Sequence, residues 1–150
     1  MTIRWMKLED LDGVMCIEKA AFQTPWQRSS FENELLMNNL ACYLVCEIEG
    51  VIAGYIGCWH VVDEGHITNV AVHPAFRRRG IAKALIEALI DFAHTRQIEA
   101  LTLEVRISNF EAIKLYEGFG FISHGIRPKY YQDTQEDALI MWASIKKETP

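Results

Sequence analysis

The chain has 150 residues, half of them hydrophobic and 23% charged, which suits a soluble globular protein and one domain spanning 1–150. Its net charge of −5 argues against nucleic-acid binding, which needs a surplus of Lys and Arg to neutralise phosphate. No apolar run reaches membrane-span length and Met1 to Asp10 lacks the layout of a secretory signal, so a cytoplasmic protein with no membrane contact is expected.

Thr2 to Met6 reads as a short strand. From Leu8 to Phe22, Leu11, Val14, Met15, Ile17, Ala21 and Phe22 recur at roughly helical spacing until Pro25 interrupts. A second helix is expected from Ser29 or Ser30 to Met37, with Ser29 and Glu32 in the form of a capping box. The period then shortens. Ala41–Ile48, Val51–Val62 and His66–Val72 are strand-like runs separated by turn signals at Glu49-Gly50 and Asp63-Glu64-Gly65, which predicts an antiparallel meander. Helical spacing returns from Arg79 to about Thr95, with Ile81, Leu85, Ala88, Leu89 and Phe92 along one side. Leu101–Val105 alternates as a strand, and Asn109–Glu117 reads as a helix. Phe121–Gly125 and Ala138–Ser144 are the last strands, joined by an irregular polar segment. The order β-α-α-β-β-β-α-β-α-β-β is an α/β (α+β) arrangement, a mixed sheet flanked by helices.

One segment is the most informative: Thr68-Asn69-Val70-Ala71-Val72-His73-Pro74-Ala75-Phe76-Arg77-Arg78-Arg79-Gly80-Ile81-Ala82. A strand runs through a Pro-containing turn into three arginines, a glycine and the start of a long helix. The first N–H groups of a helix lack partners and carry partial positive charge. Gly80 beside a small residue lets a phosphate approach the backbone, and the arginines add donors. The segment fits neither GxxxxGK[ST] nor GxGxxG. A solvated basic turn is the other account of the arginines.

Arg77-Arg78-Arg79-Gly80-Ile81-Ala82 resembles the (Arg/Gln)-x-x-Gly-x-(Gly/Ala) motif of the GNAT superfamily of N-acetyltransferases, and the element order resembles that superfamily over almost the whole chain. The resemblance implies a GNAT-type acyl-coenzyme A N-acyltransferase fold, with a mostly antiparallel central sheet, and acetyl-coenzyme A as co-substrate. It also implies that Val70, Ala71 and Val72 meet the pantetheine arm, with backbone groups of Val70 and Val72 towards it. Arg77, Arg78, Arg79, Gly80, Ile81, Ala82 and Lys83 would gather around the pyrophosphate. Ala82 stands where many members have Gly.

Forming an amide from a thioester needs a neutral amine, a polarised carbonyl and a protonated leaving thiolate. Glu104 lies on the strand face opposite Leu103 and Val105, and Tyr116 near the end of the next helix. Each also has an ordinary reading, Glu104 as a surface partner of Arg106 and Tyr116 as a core aromatic. Leu103-Glu104-Val105-Arg106, Ser108-Asn109, Ala112-Ile113 with Leu115-Tyr116, Ala21-Phe22 with Pro25-Trp26, and Tyr130-Tyr131 with Glu136–Met141 resemble the bacterial ribosomal-protein-alanine N-acetyltransferases. That resemblance implies Glu104 as general base acting through water, Tyr116 as general acid, and Asn109 as a hydrogen-bond partner of the cofactor. A backbone N–H near Val70 to Val72 would serve as the oxyanion donor. Trp26, Tyr130 and Tyr131, in irregular segments, would flank the acceptor, a protein N-terminus such as that of a small-subunit ribosomal protein.

The five histidines and four cysteines show no metal-ligand spacing, so no metal is expected. Cys16, Cys42, Cys46 and Cys58 are expected as buried thiols. A small-molecule amine acetyltransferase shares the same core motif and differs only around the acceptor. A non-catalytic acyl-coenzyme A sensor and a nucleotide-binding module using the arginine turn are readings from other classes.

Overall fold

Alternating and helical stretches fold into strands β1 (Thr2–Trp5), β2 (Ala41–Ile48), β3 (Val51–Val61), β4 (Glu64–Val72), β5 (Ala100–Arg106), β6 (Ile122–Tyr131) and β7 (Glu136–Ser144). The helices are α1 (Leu11–Ala21), α2 (Arg28–Leu36), α3 (Ile81–Thr95) and α4 (Phe110–Gly118). The computed structural model describes residues 1–146, so the last four residues of the expected 1–150 span lie outside the described part. The element order is the one expected. All seven strands join one sheet in the order β1-β2-β3-β4-β5-β7-β6, and only β4 and β5 run parallel.

That one parallel pair decides where the site lies. β4 and β5 are in register only at Glu64↔Ala100, Gly65↔Leu101 and His66↔Thr102. Beyond His66 the strands separate, although β4 continues to Val72 and β5 to Arg106. α3 and α4 cover one face of the sheet, where Ile81, Leu85, Ile86 and Leu89 pack with Ile56, Leu101, Leu103 and Tyr116. α1 and α2 cover the other, where Val14, Ile17 and Phe31 pack with Tyr43, Val45 and Tyr55. α1 and α3 sink apolar stripes against the two sheet faces, while α2 contributes Phe31 and α4 Tyr116, which stabilises the layers at roughly 1.5–3 kcal/mol per fully buried large side chain.

Several expectations need correcting. α2 starts at Arg28 with Gln27 as N-cap and no side-chain cap bond; Ser29 already lies inside the helix, so the Ser29–Glu32 box does not form. The turn between β3 and β4 is Val62-Asp63, while Glu64 and Gly65 belong to β4. The supposedly irregular segment after Gly125 is strand: β6 runs on to Tyr131. Shifts in its pairing with β7 absorb Gly125 and Pro128, and a proline without an N–H is tolerated because β6 is the sheet edge. Tyr130 and Tyr131 are therefore strand residues. Of the thiols, Cys46 and Cys58 are buried, Cys42 is half-buried and Cys16 is exposed, because α1 turns Leu11, Val14, Ile17 and Glu18 inward and leaves Cys16 on its wet side.

Candidate active site

The separation of β4 from β5 opens a cleft of about 400 Å³. The cleft brings together much of what the sequence singled out: Val70, Ala71 and Val72 on β4, Ala82 on α3, Glu104 on β5, and Asn109 and Tyr116 at the two ends of α4. Trp26, from the α1–α2 loop, and Tyr131, from β6, line it as well. Arg77, Arg78, Arg79, Gly80, Ile81, Lys83 and Tyr130 are not on its wall.

β4 offers backbone groups to the gap for a geometric reason. His73 donates its N–H to Ala53 O at 2.8 Å, towards β3. Peptide groups alternate sides along a strand, so the N–H and C=O of Val72 and Val70 point the other way, where β5 has left. A bulge lies just before them, since Gly57 pairs with Asn69 and Cys58 with Ile67, leaving Thr68 extra. The bulge turns both Thr68 and Asn69 to the α1/α2 face.

The arginine turn ends on Gly80, with φ +73°, as N-cap of α3. Only a residue without Cβ takes that conformation freely. No side chain caps the helix, so its first N–H groups are left for an outside anion. Arg78, at φ 64°, is also left-handed. Arg77, Arg78, Arg79 and Lys83 are exposed around the helix start, and Arg79 lies 5.2 Å over the Phe76 ring. Ile81 faces inward and is buried under the helix, so only its backbone is available to a ligand. An anionic, elongated ligand whose arm follows β4 and whose phosphates meet this turn fits the residues present.

On the opposite wall, Glu104 is 11% exposed and pairs not with Arg106 but with His66 Nε2 at 2.6 Å and Arg127 Nε at 3.4 Å. Chiefly the His66 hydrogen bond, against the cost of burial, holds its carboxyl below the usual carboxylate range. Arg106 instead pairs with Asp133 at 2.8 Å and stacks 4.0 Å over Tyr131. Tyr116 is buried, and burial pushes its phenol up to about 12. Its ring packs 5.7 Å from Phe121, so it serves the core as well as the cleft. No buried side-chain polar atom among the described residues lacks a partner. Asn109 caps α4, its side-chain oxygen accepting the Ala112 N–H at 3.2 Å.

Two cleft-associated groups escaped sequence reasoning. His66 reaches Glu104 only through the β4–β5 pairing, which no local pattern reveals. Glu18 lines the cleft beside Phe22 and Thr24. A signal existed for it, because a carboxylate sits in the buried phase of α1 next to Ile17.

The pattern of the acetyltransferase (GNAT) family matches residues 11–121. A Bacillus subtilis protein, provisionally assigned as a ribosomal protein bS18-alanine N-acetyltransferase, is 44% identical over 145 residues, 97% of this chain and 96% of that one. The ribosomal protein bS18-alanine N-acetyltransferase of Escherichia coli strain K12 is 38% identical over 144 residues, 93% of this chain and 95% of its own. The crystal structure of the ribosomal-protein-S18-alanine N-acetyltransferase from Escherichia coli matches with a TM-score of 0.90 at 35% identity, covering 99% of this chain and 96% of that one. A pattern that runs from α1 to the edge of β6, with relatives matched nearly end to end, agrees with the split sheet and the uncapped helix start: the chain belongs to the GNAT family of acetyltransferases.

Proposed function

We infer that this protein transfers the acetyl group of acetyl-coenzyme A to the α-amine of a protein beginning with alanine, with ribosomal protein bS18 as the acceptor, acting in the cytoplasm as one domain over 1–150. The observation that carries the chemistry is one cleft holding an ionised carboxylate, Glu104, and an un-ionised phenol, Tyr116. The acceptor is supported by the bS18-alanine relatives and by two aromatic side chains, Trp26 and Tyr131, that line the cleft.

Acetyl-coenzyme A, when bound, supplies a thioester carbonyl already activated towards amines. The N–H groups at the start of α3, with Arg77, Arg78, Arg79 and Lys83, hold its phosphates. Backbone groups of Val70 and Val72 hold its arm beside Ala71 and Ala82, and Asn109 adds a contact from α4. An N–H of β4 in the gap stabilises charge that grows on the carbonyl oxygen as the amine adds. Glu104 receives, through water, the proton the amine gives up, and Tyr116 gives its hydroxyl proton to the departing sulfur. Trp26 and Tyr131 flank the incoming peptide, and Tyr130, 5.0 Å from Tyr131 edge to face, braces it. Coenzyme A release is the test, using a peptide that copies the bS18 N-terminus, the same peptide N-terminally blocked, and spermidine. Turnover only with the free peptide is expected. Turnover only with spermidine would mean a small-amine enzyme, and cofactor binding without any turnover would mean a sensor.

A further inference from the structure

The α1–α2 loop, residues 22–27, forms one wall of the cleft, and β4 at its bulge forms another. A chain of interior side chains joins them, and the proton transfers use none of it. Glu18 is 2% exposed, and its hydrogen-bond partners are neutral. One carboxylate oxygen accepts the Trp26 N–H at 3.2 Å and the other accepts the Tyr55 hydroxyl. The Tyr55 oxygen accepts from Asn69 Nδ2 at 3.1 Å, and Asn69 Oδ1 accepts from the Thr68 hydroxyl at 2.9 Å. All three protons run towards Glu18, so each bond polarises the next and the chain ends on a carboxylate.

The far end of this chain depends on the bulge, which sets Thr68 and Asn69 on one face. It also depends on Gly57 opposite, where a Cβ would stand 2.6 Å from Asn69 Oδ1. Tyr43 comes within 3.3 Å of Thr68 but gives its own proton to Glu34 at 2.8 Å, so with the Thr68 proton on Asn69 that approach holds no hydrogen. The chain therefore connects the bulge to the loop. At the loop end, the tethered Trp26 packs 5.2 Å from Phe31, which meets Tyr55 edge-on at 5.6 Å. Trp26 thus lines the cleft from a loop whose backbone N–H is held by a buried carboxylate.

We propose that Glu18, Tyr55, Asn69 and Thr68 form a strap that fixes the width of the slot between the α1–α2 loop and β4, and so restricts the acceptor to a small first residue. The proposal rests on the N-terminal acceptor read above. Its members are positioning residues.

Tyr55→Phe removes one hydroxyl from the middle of the strap, and Thr68→Val removes the donor at the bulge while keeping a branched side chain; the second serves if the first fails to fold. Each is compared with wild type on peptides that differ only in their first residue, Ala or Leu, with acetyl-coenzyme A affinity measured alongside. The expected result is a ratio of kcat/KM for Leu over Ala that rises by about 10-fold, mainly through the peptide KM, at unchanged acetyl-coenzyme A affinity. An unchanged ratio in a folded variant overturns the proposal. So does a rise matched by an equal loss of acetyl-coenzyme A affinity, which would mean a loosened domain. Wild type acetylating neither peptide would sink the acceptor itself, and the strap's role with it, before any variant is compared.

Discussion

Glu104 and Tyr116 share a cleft but are tuned in opposite directions: His66 and Arg127 favour the carboxylate, while burial disfavours the phenolate. Glu104→Gln is expected to lower kcat by about 10²–10⁴ with acetyl-coenzyme A affinity kept, and Tyr116→Phe to slow the same step; a wild-type rate in either would return that residue to packing. His66→Ala removes the largest influence keeping Glu104 ionised. The Glu104 pKa then climbs towards the ordinary carboxylate value of about 4.3, as read from the pH titration of its side-chain carboxyl resonance. An unmoved titration would take His66 out of the site. The alternation of β5 set Glu104 apart from Leu103 and Val105, but the spacing of α4 read Tyr116 as core, and only the family resemblance singled out the pair as base and acid. His66 was not legible, because its partner lies 38 residues along the chain and meets it only across a strand pair.

The site's geometry comes from elements that stop cooperating. β4 and β5 pair for three residues and then part, and α3 begins without a side-chain cap. Gly80→Ala forces a Cβ into the left-handed region at φ +73°, which costs about 1–2 kcal/mol and turns the first N–H groups away from their common target. A lower denaturation midpoint together with a raised KM for acetyl-coenzyme A is expected, and Arg78→Ala should raise that KM with little change in stability. An unaltered KM in both would remove the turn from the phosphate site. At this scale the sequence was readable wherever hydrophobic period and turn chemistry agreed, as in α3 and the β2–β3–β4 meander. It misled where an edge strand tolerates residues that normally break strands, as at Gly125 and Pro128, and where Ser29 and Glu32 copied a cap inside a helix. The splay could be expected only from the family resemblance, since no residue pattern marks where two strands separate.

Across the molecule, Arg4 clamps β1 to the start of α1. Its Nη1 and Nη2 each donate to Asp10 at 2.8 Å, and Asp10 also accepts the Lys7 N–H at 2.7 Å. Chiefly the Arg4 hydrogen bonds hold the Asp10 carboxyl below its usual range. A carboxyl depressed in the folded state contributes stability that is fully present above its unfolded value, about 3.9, and is lost as pH falls through the lower folded value. Asp10→Asn is therefore expected to cost about 1.5–3 kcal/mol at neutral pH and to flatten the loss of stability below about pH 4, as read from urea unfolding at a series of pH values. An unchanged acid slope would place the pH dependence elsewhere. The same sheet that this clamp anchors at β1 opens its cleft between β4 and β5, the proposed seat of a protein N-terminus. The direct measurement is tandem mass spectrometry of a peptide with a free N-terminal alanine and an internal lysine, after incubation with the protein and acetyl-coenzyme A. The acetyl group on the alanine α-amine alone is the predicted result; acetyl on the lysine, or an unmodified peptide, would contradict it.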